Sequence, residues 1–363
     1  MFAKWRSSNG QKYLEIFAPD YYRLGLLLGE YLYDQIISMK RLIQLFSLRY
    51  LRHGITYNRL LRISKLYHRY IPKYLQMEMI GISDTIIRIN YNDILLQNCF
   101  LDILYGYLIP KIKIKPLILN QLEFGCTSFG IFGKKEPLMG QNFDFSVLFR
   151  PTASFVHLIT PRLSEIFSLR LGSLLSLPIG LNNWGLNLRV SVVKTLMSGN
   201  ISMPSSILSR LAFENCQDAE SYFSLLKKFG GTASYNLLIS DQNKIIALEG
   251  LSDKIERIDI NSRVAKTNTF VSLKFQRFLL DKSYSKFRQY YAEYRLNRLS
   301  SQKLGKVQEE DISSIMRDNS IICRKNPFKP MTLAFLTNTY FGLGSPDNER
   351  WGIIPFKGGE VEI

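Results

Sequence analysis

The chain has 363 residues, of which 46% are hydrophobic and 13% aromatic. A chain of this length and composition can bury one large core or two modest ones, which excludes an intrinsically disordered protein. The formal net charge of +17 favours anionic partners. No recognisable nucleic-acid-binding motif accompanies this charge, so nucleic acid is disfavoured as a partner.

Signals for targeting and for metal binding are missing from the sequence. The start, MFAKWRSSNG, has no apolar region of the kind that secretory signals contain, and no apolar run is long enough to predict a membrane-spanning helix. The four cysteines have no CxxC spacing and the three histidines no HExxH pattern. We therefore expect a cytoplasmic protein without a disulfide scaffold or a metal site.

The first 120 residues are predicted to be mostly helical. The stretch from Tyr21 to Met39 reads YYRLGLLLGEYLYDQIISM, with Leu and Ile at helical spacing, and residues 57–77 continue this pattern. Residues 92–107 form a further candidate helix, which we expect to begin at the N-cap-like Asn92.

Residues 35–77 are strongly basic, with nine Lys or Arg residues and no acidic residue. Five of them step by three or four and are predicted to share one helical face: Arg59, Arg62, Lys65, Arg69 and Lys73. The simplest interpretation is a solvated helix face. The alternative is a surface for anionic lipid, an acidic partner or a phosphate-bearing ligand.

From about residue 122 the pattern changes to short runs that are typical of strands. They read CTSFGIF, PLMGQNFDF, SFVHLIT, IFSLRLG, NWGLNLRVSVV, YNLLISD and KIIALEG. Helices are predicted between them at 205–214, 219–228 and 275–299, and a hairpin at the end, in MTLAFLTNTYFGLG and WGIIPF. The sequence thus predicts a helical segment followed by an α+β domain with antiparallel sheets, with the boundary near Gly125–Cys126.

Cys126 lies at this boundary and is a candidate nucleophile. A thiol needs a base, and no histidine sits in a stretch built for that role, although a Cys–His pair stays open. Cleavage before Cys126 would free an α-amino group, whose reference pKa near 8 suits a base at neutral pH. Gly125 has no Cβ and would let the sulfur approach its carbonyl. The structural alternative for Cys126 is an inert buried thiol, which is also our interpretation of Cys99, Cys216 and Cys323.

Six motifs in chain order resemble one family. FGCTSFGIF is followed by LMGQNFDF with a Cys-to-Asp spacing of 18, and then come GLNNWGLNL, SYNLLISDQNKIIALEG, VAKTNTF and MRDNSIICRKNP with TLAFL. Together they resemble the acyl-coenzyme A:isopenicillin N acyltransferase family of autoproteolytic N-terminal nucleophile (Ntn) hydrolases. Choloylglycine hydrolases and acid ceramidases are related to that family.

The resemblance implies a role for each matching residue. Cys126 would be the nucleophile, unmasked by self-cleavage of the Gly125–Cys126 bond, and its freed amino group would be the base. Asp144 would position that amine and, through its backbone N–H, help hold the oxyanion, for which the Asn268 side chain would be the other donor. Arg324 is a candidate contact for a substrate carboxylate.

The same residues have simpler structural explanations, and the pattern departs from the family in places. Asp144 could be a turn residue and Asn268 a strand-end cap. Asn236 is a second candidate substrate contact, although its place at a strand start favours a backbone role. Choloylglycine hydrolases carry Arg where this chain has Gln141, which disfavours bile salts. The histidines that flank the family's Thr-Asn stretch are replaced here by Lys266 and Thr269.

The resemblance implies an Ntn-hydrolase αββα sandwich, with two antiparallel sheets between helical layers. Residues 1–125 would form a mainly helical segment and residues 126–363 the Ntn domain, and the two would remain a heterodimer after cleavage. The expected activity is acyl transfer or hydrolysis of a non-peptide C–N amide or an acyl thioester, through a thioester on Cys126. The partners would be a small-molecule acyl donor and an amine or water. No cofactor is needed, and a coenzyme A thioester is a candidate donor.

Three alternatives stay open at this point. An N-acyl lipid amidase at an anionic membrane surface would suit the basic stretch and the apolar N-terminal helices. A catalytically silent binding protein could keep the fold without cleavage. A basic nucleic-acid-associated protein would bind in a strongly salt-dependent way.

Overall fold

The chain was analysed as a computed structural model. It describes residues 1–112, 125–134, 136–280, 284–303, 306–318 and 321–323, together with the backbone of three further strands at 331–336, 340–342 and 352–353. Arg324, a predicted substrate contact, lies outside the described residues.

The described strands lie at the start of the chain and again from residue 127 onward. In chain order they are β1 Phe2–Ser8, β2 Gln11–Phe17, β3 Thr127–Phe132, β4 Pro137–Phe145, β5 Ala153–Ile159, β6 Glu165–Leu171, β7 Gly180–Asn182, β8 Asn187–Val192, β9 Tyr235–Ser240, β10 Ile245–Leu251, β11 Lys254–Ile260, β12 Arg263–Lys266, β13 Met331–Leu336, β14 Tyr340–Gly342 and β15 Gly352–Ile353.

These strands form two sheets. The larger has the order β1-β2-β5-β6-β7-β8-β9-β10-β11 and the smaller the order β12-β3-β4-β13-β14-β15. Among the described pairs, β2 and β5 run parallel, with Leu14 opposite Val156, and the remaining pairs are antiparallel. The predicted C-terminal hairpin is present as β13 and β14.

The described helices lie in the segments between these strands. In chain order they are α1 Tyr21–Tyr31, α2 Tyr33–Arg49, α3 Tyr57–Lys65, α4 Lys73–Thr85, α5 Tyr91–Asp102, α6 Ile109–Ile112, α7 Ser205–Asn215, α8 Ala219–Phe229, α9 Leu273–Gln276, α10 Tyr284–Gln302 and α11 Glu309–Met316. A π-helical turn, Ile103–Leu108, joins α5 to α6. The helix predicted at 275–299 is divided between α9 and α10.

Buried side chains show how the layers stack. One cluster joins α1–α5, α7 and α8 to the larger sheet, and Met139, Leu238, Ile245 and Ala247 pack between the two sheets. On the far side of the smaller sheet, a third cluster joins strand residues such as Phe129 to α10 and α11. Helices therefore cover the outer face of each sheet, and the predicted αββα sandwich is confirmed.

The N-terminal segment contributes strands as well as helices, which the sequence reading did not predict. The β1–β2 hairpin turns at Asn9 and Gly10, whose φ angles of 48° and 81° are both positive. An Asn-Gly pair between alternating residues is a strong hairpin signal, so this hairpin could have been found. Its second strand, β2, joins the N-terminal segment directly to β5 of the later domain.

Two details of the predicted helices were wrong. The long helix predicted from Tyr21 breaks at Leu32, between α1 and α2. The cap of α5 is Asn90 rather than Asn92, because the Asn90 and Asp93 side chains bond reciprocally to each other's backbone N–H groups in a capping box.

The five basic residues do not share one helix, contrary to the prediction. Arg59, Arg62 and Lys65 lie on α3, Arg69 lies in the short 3₁₀ turn that follows, and Lys73 begins α4. Proline disfavours helical geometry in the residue before it, and Ile71 is accordingly extended before Pro72. All five side chains are exposed. None of the described helices is both long and apolar enough to cross a membrane.

Candidate active site

Cys126 lies directly before β3 and is completely buried. The Gly125 N–H donates to the Asp144 carbonyl oxygen over 2.9 Å. This bond continues the β3–β4 ladder, in which Thr127 faces Asn142. Cys126 therefore stands opposite Phe143, and the two side chains lie on the same face of the sheet.

The two faces of β4 have different surroundings. Gln141 Nε2 donates to the Val190 carbonyl of the larger sheet over 2.6 Å, whereas Asn142 Nδ2 donates to the Met316 carbonyl of α11 over 2.8 Å. Because side chains alternate along a strand, Phe143 faces the larger sheet and Asp144 faces the outer helices. Asp144 is thus connected to Gly125 through its main chain.

A short loop after β12 carries Asn268, and Asn236 fixes that loop. Asn236 Nδ2 donates to the carbonyl oxygens of both Thr267 and Thr269, over 2.7 and 2.6 Å. From the other side, α10 holds Thr267 N–H through Gln289 Oε1 over 2.9 Å. Asn236 therefore acts on the backbone that presents Asn268.

The Asn268 side chain bonds directly to the first residue of the predicted domain. Its Oδ1 accepts from Cys126 N–H over 2.7 Å and from Arg288 Nη2 over 2.5 Å, and its Nδ2 donates to the Val192 carbonyl over 2.7 Å. Two of these partners are donors and the third is an acceptor, so the orientation of the amide is fixed. The nitrogen carries two hydrogens, and the bond to Val192 uses one.

Arg288 is a site residue that the sequence reading missed. It lies on α10 and is buried, with 1% of its surface exposed. A signal was present in the sequence, since Arg288, Ala292 and Leu296 recur at helical spacing and all three are buried. An arginine in line with an apolar stripe is a candidate for a buried role.

The family comparison covers most of these residues. The family described as Acyl-coenzyme A:6-aminopenicillanic acid acyl-transferase matches residues 131–325, which is more than half of the chain. The chain belongs to this family. The match includes Asp144, Asn236 and Asn268, and it begins five residues after Cys126.

The chain was also compared with solved structures and with curated proteins. Among solved structures, the Caenorhabditis elegans N-acylethanolamine-hydrolyzing acid amidase (NAAA) ortholog is similar to this acyl-transferase family member, with 12% sequence identity and a TM-score of 0.46. The alignment covers 63% of this chain and 100% of that chain. The comparison with curated proteins gives no match.

A buried ion pair lies next to the loop that carries Asn268. Lys266, at the end of β12, is paired with Glu249 of β10, and both side chains are buried. Glu249 also accepts from the N–H groups of Val271 and Ser272, over 2.9 and 3.0 Å. The carboxylate therefore holds the Lys266 side chain before Asn268 and the backbone at Val271 and Ser272 after it.

The remaining cysteines and the histidines have other surroundings. Cys99, Cys216 and Cys323 are buried and form no disulfide within the described residues. Burial raises the pKa of Cys216 to about 11, which keeps that thiol protonated. His157 Nε2 lies 3.0 Å from Glu165 Oε2, and His53 and His68 lie in 3₁₀ turns of the N-terminal segment. Within the described residues, no group of three or more His, Cys, Asp or Glu could hold a metal ion.

Proposed function

We propose that this protein is an autoproteolytic Ntn-type cysteine acyltransferase or amide hydrolase with Cys126 as its nucleophile. The observation that carries the proposal is the hydrogen bond of 2.7 Å from Cys126 N–H to Asn268 Oδ1. That N–H becomes the α-amine if the chain is cut before Cys126. The base would then already be oriented by a buried side chain before cleavage takes place.

Self-cleavage begins with attack of Cys126 Sγ on the Gly125 carbonyl carbon. The C–N bond breaks, the nitrogen takes the thiol proton, and Gly125 becomes a thioester on Sγ. Water then hydrolyses this thioester, which leaves a Gly125 carboxylate and a free thiol beside the new amine. We propose that fragments 1–125 and 126–363 remain together as a heterodimer.

In the mature enzyme the α-amine takes the proton from the Cys126 thiol. The thiolate attacks an acyl carbonyl, and the amine returns the proton to the leaving amine or thiol. An acceptor amine or water then attacks the Cys126 thioester in the same way. The second Nδ2 hydrogen of Asn268 and the Asp144 N–H would stabilise the oxyanion, whose charge develops only in the transition state. These steps require no metal or organic cofactor.

The burial of Cys126 suits a precursor. A thiol with no exposed surface cannot meet a substrate, so the uncut chain would be an inactive zymogen. The donor class that we propose is an acyl thioester, for which coenzyme A is a candidate carrier, or an N-acyl amide. A cytoplasmic location stays a prediction.

One observation favours a second candidate, an N-acyl lipid amidase at an anionic membrane. Three leucines in and just after α2 are largely exposed, Leu45 by 59%, Leu48 by 66% and Leu51 by 53%. The exposed Arg49 and Arg52 lie between or beside them. Exposed leucines among cationic side chains favour binding at the interface of an anionic bilayer.

Intact-mass measurement on the purified protein tests the proposal. We expect two chains, the second starting at Cys126, and a single chain for Cys126→Ala. Cys216→Ala, which changes a buried thiol elsewhere, is the matched control and should be cut like the wild type. Acylation of the 126–363 fragment by acyl thioesters or N-acyl amides then locates the nucleophile. A wild-type chain that is uncut and unreactive would mean a silent binding protein.

The two enzymatic candidates differ in their response to lipid. The N-acyl lipid amidase would hydrolyse N-acyl lipids in vesicles containing phosphatidylserine, and the variant Leu45→Ser/Leu48→Ser would lose this activity. Equal activity of the wild type and this variant on short soluble amides would support the first candidate.

A further inference from the structure

The loop between β12 and α9 carries Asn268, and Glu249 of β10 holds both ends of this loop. Glu249 Oε1 is paired with Nζ of Lys266, the last residue of β12, and also accepts from Val271 N–H over 2.9 Å. Its Oε2 accepts from the N–H of Ser272, directly before α9, over 3.0 Å. One carboxylate therefore fixes the two ends of the segment that presents Asn268.

A second residue of the larger sheet holds the middle of the loop. Asn236 on β9 stands opposite Glu249 on β10, so the two side chains lie on the same face of the sheet. Asn236 donates to the carbonyl oxygens of the residues on either side of Asn268, whereas Glu249 accepts from N–H groups farther along. Two neighbouring side chains of one sheet thus satisfy both acceptors and donors of this loop.

The ion pair connects the two sheets beside the candidate active site. Lys266 lies opposite Ser128 in the smaller sheet, two residues after Cys126, whereas Glu249 belongs to the larger sheet. Only 4% of the Lys266 side chain and 1% of the Glu249 side chain are exposed. Burying two charges has a large desolvation cost, and an apolar pair is often at least as stable. Stability alone therefore does not account for these charges.

We propose that Glu249 and Lys266 are positioning residues for the reaction at Cys126, and that the length of the Glu249 side chain sets where the Asn268 amide lies. This inference rests on the proposed acyl-transfer function. In that function Asn268 holds the Cys126 nitrogen through Oδ1 and would donate to the oxyanion through Nδ2. A misplacement of about 1 Å can cost about 10² in rate.

Two substitutions separate the length of the Glu249 side chain from its charge. Glu249→Asp keeps an anion for Lys266 but draws the carboxylate back by about 1.5 Å, the length of one C–C bond. Glu249→Gln keeps the length and an oxygen that can accept from Lys266 and Val271, but it leaves the buried lysine without an anion, which is destabilising. We therefore expect Glu249→Asp to be the slower enzyme and Glu249→Gln to be the less stable protein.

The test measures acylation of the self-processed protein by S-phenyl thioacetate, which transfers its acetyl group to Sγ and releases thiophenol. Intact mass of the 126–363 fragment over a range of thioester concentrations gives the maximum rate and the half-saturating concentration, and peptide mapping locates the acetyl group on Cys126. For Glu249→Asp we expect a maximum rate roughly 10- to 100-fold lower, with little change in the half-saturating concentration. Glu249→Gln should keep more of the rate and should melt at a lower temperature than Glu249→Asp.

Glu165→Asp is the matched control. Glu165 is a buried carboxylate of the same sheet that bonds to His157, and its shortening should leave the maximum rate at the wild-type value. Self-cleavage is followed in the same samples, because Asn268 holds Cys126 N–H in the uncut chain as well. A folded Glu249→Asp protein that is cut slowly, beside a normally cut control, would also support the positioning role.

Three outcomes would overturn the positioning role while leaving the acyl-transfer function in place. The first is a wild-type maximum rate in Glu249→Asp, which would leave the ion pair as a contribution to stability alone. The second is a slower reaction in Glu249→Gln than in Glu249→Asp, which would show that charge matters and length does not. The third is a change in the half-saturating concentration alone, which would indicate a role in substrate binding. No acylation of Cys126 in the wild type would instead contradict the proposed function, and this inference with it.

Discussion

Arg288 donates from Nη2 to Asn268 Oδ1 over 2.5 Å, and the same oxygen accepts from the Cys126 backbone N–H. A cationic donor on the carbonyl oxygen polarises the amide group. Hydrogen bonds in such a chain strengthen one another, so in the role that we propose for it the Asn268 N–H would be a better donor to the oxyanion. Arg288 therefore holds Asn268 in place and polarises its amide group.

Loss of the Arg288 cation should reduce kcat far more than it changes KM. Removal of one oxyanion donor costs about 10²–10³ in kcat, and we expect Arg288→Met to approach this range by disturbing Asn268. Arg288→Lys should recover part of the loss, since it keeps a donor. Steady-state kinetics on the processed enzyme measures both parameters.

Arg298→Met is the control, because Arg298 lies on the same helix and is exposed. A loss in Arg288→Met that appeared in KM alone would indicate a contact with substrate instead. Unchanged kcat and KM in Arg288→Met would show that Arg288 has no role in catalysis.

Removing one member of the buried ion network between α4 and α7 should be strongly destabilising. Arg210 bonds to Glu78 over 2.9 Å and to Glu214 over 2.6 Å, and these side chains have no exposed surface. Removing one partner of a buried pair costs about 3–5 kcal/mol, whereas replacing the pair with apolar residues is often neutral. We therefore expect Glu78→Leu and Arg210→Met each to lose stability, and Glu78→Leu/Arg210→Met to lose less than the sum of the two losses. The double variant still leaves Glu214 without Arg210 and Arg170 without Glu78, so it should remain less stable than the wild type.

Urea unfolding in a Cys126→Ala background measures this difference, because the uncut chain unfolds as one molecule. A double variant that lost as much stability as the sum of the two single variants would show that the charges act independently.

The contact between α1 and α4 should not tolerate a methyl group at its centre. A Cβ on Gly25 would overlap the Glu78 carbonyl oxygen, and one on Gly81 would overlap the Tyr22 carbonyl oxygen. Overpacking of this kind costs about 1–3 kcal/mol, and backbone atoms cannot move aside as a side chain can. We expect Gly25→Ala and Gly81→Ala to lose stability near the upper end of that range.

Gly29→Ala provides the graded comparison. A Cβ on Gly29 would lie 2.8 Å from the Thr85 Cβ, whereas a Cβ on Gly25 would lie 2.1 Å from the Glu78 carbonyl oxygen. The overlap is milder at Gly29, so a smaller loss is expected. Equal melting temperatures for all three variants and the wild type would show that the two helices separate without cost.

The raised pKa of Asp102 predicts a pH dependence of stability. The carboxyl titrates at about 6 in the folded protein, and its ordinary value is 3.8. Between about pH 4 and 6 the folded state holds more protons than the unfolded state, so this group's contribution falls as pH rises through that window and levels off above it. The full change is about 2–3 kcal/mol.

Asp102 is buried at the end of α5, and its Oδ2 accepts from Ser205 N–H over 3.0 Å and from Ser205 Oγ over 2.8 Å. Asp102→Asn keeps an acceptor for Ser205 and has no charge to bury. We therefore expect Asp102→Asn to gain stability relative to the wild type at pH 7 and to lose this advantage at pH 4. Thermal melting of both proteins over this range isolates the Asp102 contribution, because the other titrating groups are common to them. A difference in melting temperature that did not vary with pH would contradict the shift.

The sequence predicted features that arise from local pattern better than those that arise from packing. The strands from CTSFGIF to KIIALEG and the helices at α7 and α8 follow hydrophobic periodicity and appear close to their predicted bounds. The division of 275–299 into α9 and α10 and the orientation of Asn268 depend on contacts between distant segments. Hydrophobic periodicity gives no information about such contacts.

The residues of the candidate site likewise include some that the sequence predicted and some that only the packing shows. Cys126 and Asp144 were proposed from motifs that resemble the family, and the structure places their main chains in one ladder. Asn236 was expected to fix backbone, and its two bonds around Asn268 have that effect. Arg288 lies on a helix remote in sequence from Cys126, and only the packing of α10 against the smaller sheet shows that it reaches Asn268.

The parallel pairing of β2 with β5 has a consequence for how the protein is made. Without residues 1–125, the backbone groups of β5 that bond to β2 would be open to solvent, on a strand rich in Phe, Val, Leu and Ile. An exposed apolar edge of this kind recruits strands from other molecules and leads to aggregation. The N-terminal segment is synthesised first and would act as an intramolecular chaperone that occupies this edge, so the later fragment should be soluble only when the earlier one is made with it.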